Sequence, residues 1–366
     1  MMADIKRKVP NLRFKGFTDD WEQRKLKTVV SVNSGKDYKS LEKGNIPVYG
    51  TGGYITSVSK FLSNQDAIGL GRKGTINKPY ILKAPFWTVD TLFYLTLKPE
   101  NILTFIYSLI QKINWLKYDE STGLPSLSKK NIENVLVYLT KLDEQQKIGK
   151  LIVKLDKLIT LQQRKLDLLK QLKKGLLQKM FADKDSKRPI LRFSGFTEDW
   201  KQCKLGKLAR IDTGKLNANA MVMDGKYDFY TSGKEKYKID KYAFVGPAIT
   251  VAGNGATVGY MHYADNKFNA YQRTYVLTNL KGDRRFLFNT IQANLPHKIY
   301  QESRTGNIPY IVLDMLTDLS IMIPLKEEQA SIGNFVNVMD NFITAQENRL
   351  NSSKLTKKFL LQKLFI

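Results

Sequence analysis

The segment LRFKGFTDDW at residues 12–21 recurs as LRFSGFTEDW at residues 191–200, with eight of the ten positions identical. Shorter matches follow in the same order: SGK at 34–36 with TGK at 213–215, EQ at 144–145 with EQ at 328–329, and IG at 148–149 with IG at 332–333. The offset between the copies grows only from 179 to 184 residues, so few insertions separate them. A repeat of this length predicts a chain built twice from one structural unit.

Two kinds of segment alternate within each copy. Residues 12–140 and 191–325 are rich in Gly, Thr, Tyr and β-branched residues, which predicts short strands and loops with a helix near 102–113. From residue 142 the apolar residues instead recur at steps of three and four without a proline, and the second copy repeats this pattern. The pattern predicts a long helix with a heptad seam in each copy, about 60 Å long for some 40 residues.

The predicted seams contain one polar residue each, at matching positions. The seam residues are Ile148, Ile152, Leu155, Ile159, Gln162, Leu166 and Leu169 in the first copy, and Ile332, Val336, Met339, Ile343, Gln346 and Leu350 in the second. A polar residue in a seam commonly sets the register of a helix pair. The alternative is that both glutamines face water. The helices either pair antiparallel within one chain or pair between chains in a homodimer.

These patterns predict an α+β chain with a pseudo-twofold internal repeat. Two β-rich α/β domains are separated by two long antiparallel coiled-coil helices. The predicted boundaries are a first domain at 1–141, a central spacer helix at 142–185, a second domain at 186–325 and a C-terminal spacer helix at 326–366.

The charge of the chain indicates a polyanionic partner. Its 59 Lys and Arg exceed its 34 Asp and Glu, giving a net charge of +25. Such an excess favours nucleic acid, because Lys and Arg that meet phosphates release condensed counterions. The alternatives are an inert basic surface or attraction to anionic lipid. We find neither a signal peptide nor an apolar run long enough to cross a membrane, so we expect a cytoplasmic protein without a membrane partner.

No catalytic or metal-binding residues are predicted. The single cysteine and two histidines form no zinc-binding cluster. The segment GLGRKG at 69–74 matches a dinucleotide-binding pattern, but Pro79 and β-branched residues follow it and predict a strand where that site needs a helix. A hairpin turn that brings Arg72 and Lys73 toward a phosphate or a base edge explains the segment better.

Loop residues of the types that read bases occur in both copies. Arg and Lys bind guanine, Asn and Gln bind adenine, and Thr or aromatic side chains contact the thymine methyl group. The DNA-binding candidates are Lys36, Tyr49, Thr51, Arg72, Lys73 and Lys78 in the first copy, and Lys215, Tyr230, Ser232, Lys234, Asn254, Gln272, Arg273 and Arg304 in the second. The alternative for each residue is a solvated surface position or a contact with the phosphate backbone.

The motifs together resemble the specificity subunits of type I restriction–modification enzymes, over nearly the whole chain. The resemblance rests on the duplicated LRFxGFT opening, GRKGTI at 71–76, PFWTVDT at 85–91, STGLPSLS at 121–128, the EQxxIG entry to each helix, and the endings LLQKMF and LLQKLF. The second copy departs from the pattern at 251–259 and at Gln272-Arg273, where the first copy has Val89-Asp90.

The resemblance implies two target recognition domains that each read one half of a bipartite sequence in double-stranded DNA. The helices would set the spacer and dock two methyltransferase (modification) subunits, and motor-nuclease (restriction) subunits would join them. S-adenosylmethionine, Mg²⁺ and ATP would then belong to those partners, and this chain would hold no cofactor. The departures in the second copy imply that the two domains read different sequences.

Two rival functions remain open at this point. One is a stand-alone nucleic-acid-binding regulator that dimerises through its helices. The other is a catalytic nuclease or methyltransferase. The missing catalytic motifs weigh against the enzyme. The duplication of the long helix weighs against the regulator, because a homodimer needs only one such helix per chain.

Overall fold

The internal repeat of the sequence is also present in the computed structural model, which describes residues 8–182, 185–302 and 309–366. The chain divides into two units: Met1–Arg164 with Glu347–Ile366, and Lys165–Gln346. Each unit holds one β-rich domain, the beginning of one long helix and the end of the other. The predicted class, with two β-rich domains and two long helices, is confirmed. No helix in the described part of the chain is long and apolar enough to cross a membrane.

The β-rich domain of the first unit is made of short strands around two helices. The strands are β1 (Glu22–Lys25), β2 (Val30–Ser34), β3 (Lys43–Gly50), β4 (Gly53–Val58), β5 (Ala67–Gly71), β6 (Tyr80–Leu82), β7 (Trp87–Thr88), β8 (Leu92–Leu97) and β9 (Leu136–Leu139). The helices are α1 (Leu103–Lys112) and α2 (Lys129–Asn134), with 3-10 turns at Leu26–Thr28 and Trp115–Tyr118. One sheet has the order β2-β8-β5-β6, a second has the order β4-β3-β7, and β1 pairs with β9.

The domain of the second unit repeats this plan. Its strands are β10 (Lys201–Lys204), β11 (Arg210–Thr213), β12 (Tyr227–Tyr230), β13 (Lys236–Ile239), β14 (Phe244–Val245), β15 (Ala248–Ala252), β16 (Met261–Ala264), β17 (Lys267–Ala270), β18 (Thr274–Thr278) and β19 (Ser320–Ile323). Its helices are α4 (Arg284–Glu302) and α5 (Leu313–Thr317), with 3-10 turns at Leu205–Lys207 and Ala218–Ala220. The sheets have the orders β11-β18-β15-β16 and β13-β12-β17-β14, and β10 pairs with β19. The two domains therefore correspond strand for strand, with β14 added.

The long helices are α3 (Leu142–Met180) and α6 (Lys326–Lys363). They lie within the predicted spacer segments 142–185 and 326–366, and the domain boundaries stay a prediction. Each has two acidic residues in its first turn and a lysine in its last turn. These charges complement the helix dipole at both ends.

The helices pack antiparallel within the first unit. Near the start of α3, Ile148 and Ile152 share a core with Leu364 and Phe365, which follow α6. One turn further along α3, the carboxylate of Asp156 lies 2.5 Å from Nζ of Lys357. Residue numbers therefore rise along one helix as they fall along the other.

The second unit contains the equivalent contacts. Met180 at the end of α3 shares a core with Ile332 and Val336 near the start of α6. Nζ of Lys173 lies 2.5 Å from the carboxylate of Asp340. Both ion pairs join residues that correspond at an offset of 184, so the contact between helices is duplicated with the sequence.

Burial of the predicted seam differs between the helices. Ile332, Val336, Met339, Ile343, Gln346 and Leu350 are all buried. On α3, Ile148, Ile152 and Leu166 are buried, whereas Leu155, Ile159, Gln162 and Leu169 are half-buried. The register role of the two glutamines stays a prediction.

The repeated opening segment joins each domain to the start of its long helix. The guanidinium of Arg13 donates hydrogen bonds of 2.8 Å to both carboxylate oxygens of Glu144. In the second unit Arg192 donates to both oxygens of Glu328, at 2.7 and 2.8 Å. The two glutamates are 0% and 1% exposed. A buried charge must be paired, which explains why the arginine and the glutamate recur together.

The rest of the EQxxIG motif connects the helix to the domain. The side-chain oxygen of Gln145 accepts a hydrogen bond from the backbone N–H of Ile102 at 3.0 Å, and its nitrogen donates to the carbonyl oxygen of Thr140 at 2.7 Å. A Cβ at Gly149 would lie 2.2 Å from Oγ1 of Thr104 and 2.7 Å from the backbone nitrogen of Phe105. Glycine is therefore required where α3 crosses the start of α1.

Candidate nucleic-acid interface

The turn after β5 presents the first group of candidate residues. The backbone N–H of Arg72 donates to the carbonyl oxygen of Thr91 at 2.8 Å, and that of Gly74 donates to Pro125 at 2.8 Å. Leu127 in turn donates to the carbonyl oxygen of Arg72 at 2.9 Å. Gly74 has a φ of +83°, a conformation that glycine adopts without strain. The sequence after the turn forms β6, as predicted, and not the helix of a dinucleotide site.

The second unit contains the same turn, although its sequence lacks the GxGxxG pattern. Gly253 donates to the carbonyl oxygen of Arg273 at 2.8 Å, and Ile311 donates to Gly253 at 2.7 Å. Gly255 donates to Pro309 at 3.3 Å and has a φ of +84°. The matching hydrogen bonds place Asn254 at the backbone position that Lys73 occupies in the first unit. One frame thus presents a lysine in one copy and an asparagine in the other.

A neighbouring loop differs between the copies in the same way. Val89 donates to the carbonyl oxygen of Tyr49 at 3.0 Å, and Tyr271 donates to that of Tyr230 at 2.8 Å. These bonds align Gln272 and Arg273 with Asp90 and Thr91. The correspondence with Val89-Asp90 inferred from sequence is therefore wrong by one residue, because strongly diverged loops can be aligned only through their backbone contacts. Gln272 and Arg273 are both exposed.

Lys36 and Lys215 occupy equivalent exposed positions, each directly after a glycine. A Cβ at Gly35 would lie 2.0 Å from the carbonyl oxygen of Val89, and one at Gly214 would lie 1.9 Å from that of Ala270. The glycines let this loop cross the strand next to it closely. The SGK and TGK matches therefore place one lysine beside the divergent loop in each unit.

Tyr230 is buried, which corrects its prediction as a residue that contacts DNA. It is 1% exposed, and its hydroxyl donates to the carbonyl oxygen of Tyr263 at 3.3 Å. Its ring packs edge-on against Phe268. Tyr230 ends an inner strand of its sheet, so its side chain supports the loops from inside and burial raises its pKa to about 12.

The second unit brings three other candidates together. The hydroxyl of Ser232 donates to Oδ1 of Asn254 at 2.6 Å and so orients the amide. Nζ of Lys234 lies 6.0 Å from the ring centre of Tyr260. His262 contacts the carbonyl oxygen of Gly233 at 3.3 Å, and burial lowers the pKa of this imidazole. Tyr260 and His262 were missed by sequence reasoning because they come from the next hairpin.

In the first unit, the candidate DNA-binding residues contact aromatic rings rather than each other. Tyr49 is half-buried, 6.4 and 6.1 Å from the rings of Tyr54 and Tyr80, beside the hairpin turn that contains the half-buried Thr51. The half-buried Arg72 has its guanidinium 5.7 Å from the ring centre of Phe93. Lys73 is exposed.

One candidate of the first unit lies elsewhere. Lys78 is exposed and lines a cavity beside the ends of α1 and α6, apart from the turn that holds Lys73. Arg304 lies outside the described residues.

A loop held by one carboxylate covers the turn of the first unit. Oδ1 of Asp119 accepts hydrogen bonds from the backbone N–H groups of Ser126 at 2.9 Å and Ser121 at 3.0 Å. These bonds lower the pKa of Asp119. Ser126 forms an isolated bridge with Lys73, so the STGLPS motif supports the turn. In the described part of the chain, no group of three or more His, Cys, Asp or Glu could hold a metal ion.

Comparisons with known proteins agree on one family. The family model described as "Type I restriction modification DNA specificity domain" matches residues 18–171 and again 197–353. The EcoDI specificity subunit of Escherichia coli is 36% identical over 162 residues, which cover 44% of this chain and 36% of that subunit. The MjaVIII specificity subunit of Methanocaldococcus jannaschii is 25% identical over 341 residues, covering 82% of this chain and 76% of that subunit.

Solved structures share the fold. The type I specificity subunit from M. genitalium aligns with a TM-score of 0.72 and 15% identity, over 98% of this chain and 99% of that chain. A chain from a type I restriction–modification system aligns with a TM-score of 0.55 and 15% identity, over 94% of this chain and 97% of that chain. Because the family model matches most of the sequence, in two copies, the chain belongs to the family of type I restriction–modification DNA specificity domains.

Proposed function

We propose that this chain is the non-catalytic subunit that selects the DNA target of a type I restriction–modification complex, each domain reading one half of a bipartite sequence. The observation that carries the proposal is the pair of equivalent turns with different side chains. Lys73 corresponds to Asn254, and Thr91 corresponds to Arg273. Lysine and arginine suit guanine, and asparagine suits adenine. Two copies of one frame can therefore read two different half-sites.

In this proposal the long helices would set the spacing between the two half-sites. A helix of 39 residues such as α3 is about 58 Å long at about 1.5 Å per residue. The ion pairs Asp156–Lys357 and Lys173–Asp340 join the helices within the chain, which favours a monomer over the rival dimeric regulator. A spacer of fixed length would hold the two half-sites at a fixed separation on double-stranded DNA.

A second apolar stripe on α3 supports docking of methyltransferase subunits. Leu158, Leu161, Leu168 and Leu172 are 43%, 64%, 55% and 52% exposed. Their steps of three, seven and four match a heptad pattern that is displaced from the predicted seam by about 100° around the helix. On α6, Val338, Phe342 and Phe359 are 48%, 60% and 53% exposed. One exposed stripe per helix would suit two such subunits, with motor-nuclease subunits added to them.

S-adenosylmethionine, Mg²⁺ and ATP would be bound by these partners.

Methylome sequencing of the source cell tests the whole proposal. Deleting the gene should abolish one two-part methylated motif, and replacing residues 12–140 with the same region of a relative should change only one half of it. Inserting one heptad in both helices should lengthen the spacer by about 10 Å, or about three base pairs. Loss of both half-sites after the domain swap contradicts the modular reading.

Docking is tested separately by co-purification with the methyltransferase. The variant Leu161→Lys/Leu168→Lys should lose the partner, because burying two unpaired ammonium groups in an apolar interface is costly. The control Lys150→Gln/Lys154→Gln, on exposed positions of the same helix, should retain it. Retention of the partner by both variants contradicts docking on this stripe.

A further inference from the structure

Each long helix carries the same lysine pattern near its end. The pattern KxxKKxxLQ occurs at 170–178 on α3 and at 354–362 on α6, at the offset of 184 residues that relates the helices. Steps of three, four and seven place these residues on one face of a helix. The predicted seam and the turns that hold Lys73 and Asn254 do not account for this pattern.

In the first unit the pattern lines a cavity of about 520 Å³. Five lysines border it: Lys78, Lys112, Lys354, Lys357 and Lys358. No carboxylate of the described residues lines it. The ammonium group of Lys112 donates to the carbonyl oxygen of Ile366, and burial lowers the pKa of this lysine.

In the second unit the equivalent lysines line a cavity of about 700 Å³ against α4. Here Lys170, Lys173 and Lys174 face the amide side chains of Asn289 and Gln292. Again no carboxylate from the described part of the chain lines the cavity. The basic cleft is thus duplicated in structure as well as in sequence.

Helix stability accounts for only part of the pattern. The middle lysine of each copy, Lys357 or Lys173, is the one that forms the ion pair between helices. Lys174, Lys354 and Lys358 are exposed and form no ion pair with any described residue. The helix dipole favours basic residues in the last turn only, which lies beyond these three.

We propose that the two clefts bind phosphate groups of the DNA backbone, one cleft at each half of the target. This inference rests on the proposed function. Lysine and amide side chains are common phosphate ligands. The reading turns differ between the units, whereas the clefts keep the same lysines, and the backbone is the part of DNA that is the same at every sequence.

The position of the first cleft fits this role. The loop between β5 and β6 presents Lys73 at one end and supplies Lys78 to the cleft at the other. Five residues span at most about 17 Å, so one loop can contact a base edge and a nearby phosphate together. An acidic protein surface is the alternative occupant.

The test is the salt dependence of DNA binding by the full chain, measured by fluorescence anisotropy with a labelled duplex of arbitrary sequence. Each lost phosphate contact lowers the slope of log affinity against log salt by about 0.9. Lys354→Gln/Lys358→Gln should lower it by about 1 to 2, and Lys174→Gln by about 1. The control Lys150→Gln/Lys154→Gln, which has the same spacing and lines neither cleft, should leave the slope unchanged. Lys354→Arg/Lys358→Arg should retain it.

Lysine acetylation of the wild-type chain gives a second readout without substitutions. DNA should protect Lys174, Lys354 and Lys358, while Lys150 and Lys154 stay reactive. Equal slopes in cleft and control variants, or no protection, overturn the inference and leave the proposed function intact. Normal DNA binding with lost methyltransferase binding would assign the clefts to an acidic protein surface instead. A wild-type chain without affinity for duplex DNA would overturn both proposals.

Discussion

Removing Arg13 should destabilise the first unit strongly. Glu144 is 0% exposed, and both of its carboxylate oxygens accept hydrogen bonds from Arg13. In Arg13→Met the carboxylate would keep, among the described residues, only the hydroxyl of Thr140 as a side-chain donor. Leaving a buried charge unpaired costs about 3–5 kcal/mol, a large part of the 5–15 kcal/mol that typically stabilises a domain. At a urea dependence of about 2 kcal/mol per molar, the unfolding midpoint should fall by about 1.5–2.5 M.

Urea unfolding followed by tryptophan fluorescence measures this shift, because Trp21, Trp87 and Trp115 all lie in the first unit. The double variant Arg13→Met/Glu144→Leu should recover much of the loss, since an apolar pair needs no compensating charge. Lys141→Met, which breaks the exposed ion pair with Asp19, should leave the midpoint unchanged. A double variant less stable than Arg13→Met would refute the reasoning.

Other predictions concern the helix contacts and the second unit. Gly149→Ala should cost about 1–3 kcal/mol in thermal unfolding because its Cβ would collide with Thr104, whereas Gly175→Ala, which meets nothing within 4 Å, should stabilise the same helix by about 0.5–1 kcal/mol. Equal effects of the two alanines would contradict the close crossing. Burial lowers the pKa of His262 below that of the unfolded chain, so protonation favours unfolding and the second unit should lose stability as pH falls from about 8 to about 5. His262→Gln should weaken this pH dependence in urea midpoints; an unchanged profile would assign it to other groups.

The sequence predicts the frame well because the frame depends on local signals. The repeat, the helix near 102–113 and the starts of α3 and α6 all follow from identity and periodicity, and the structure contains them. Sheet order could not be predicted, because β3 and β7 pair in parallel across 36 residues of intervening chain. Long-range pairing of this kind leaves no periodic trace in the sequence.

The residues of the candidate nucleic-acid interface are harder to predict from sequence than the repeated fold. Residue types suited to reading bases are also common in loops and cores, so Tyr230 was selected although its ring is buried. The equivalence of Lys73 and Asn254 was also hidden, because it depends on backbone hydrogen bonds from Leu127 and Ile311. Gly74 and Gly255, with nearly equal positive φ, also mark this equivalence in the structure.

In the proposed function, the buried contacts that hold each domain are separate from the base-reading residues, so specificity could change without loss of stability. The buried pairs Arg13–Glu144 and Arg192–Glu328 hold each domain to its helix. Lys73 is an exposed residue in a turn whose backbone bonds do not involve its side chain, whereas Asn254 at the same backbone position is half-buried and its amide oxygen accepts a hydrogen bond from Ser232. Substitutions at exposed positions change stability by only about 0.5 kcal/mol, whereas one good base contact discriminates by about 1–3 kcal/mol. Under the proposed function, selection on DNA sequence would therefore act at an exposed position such as Lys73 almost independently of selection on folding, and two copies of one unit could diverge in target while keeping the same buried pairs.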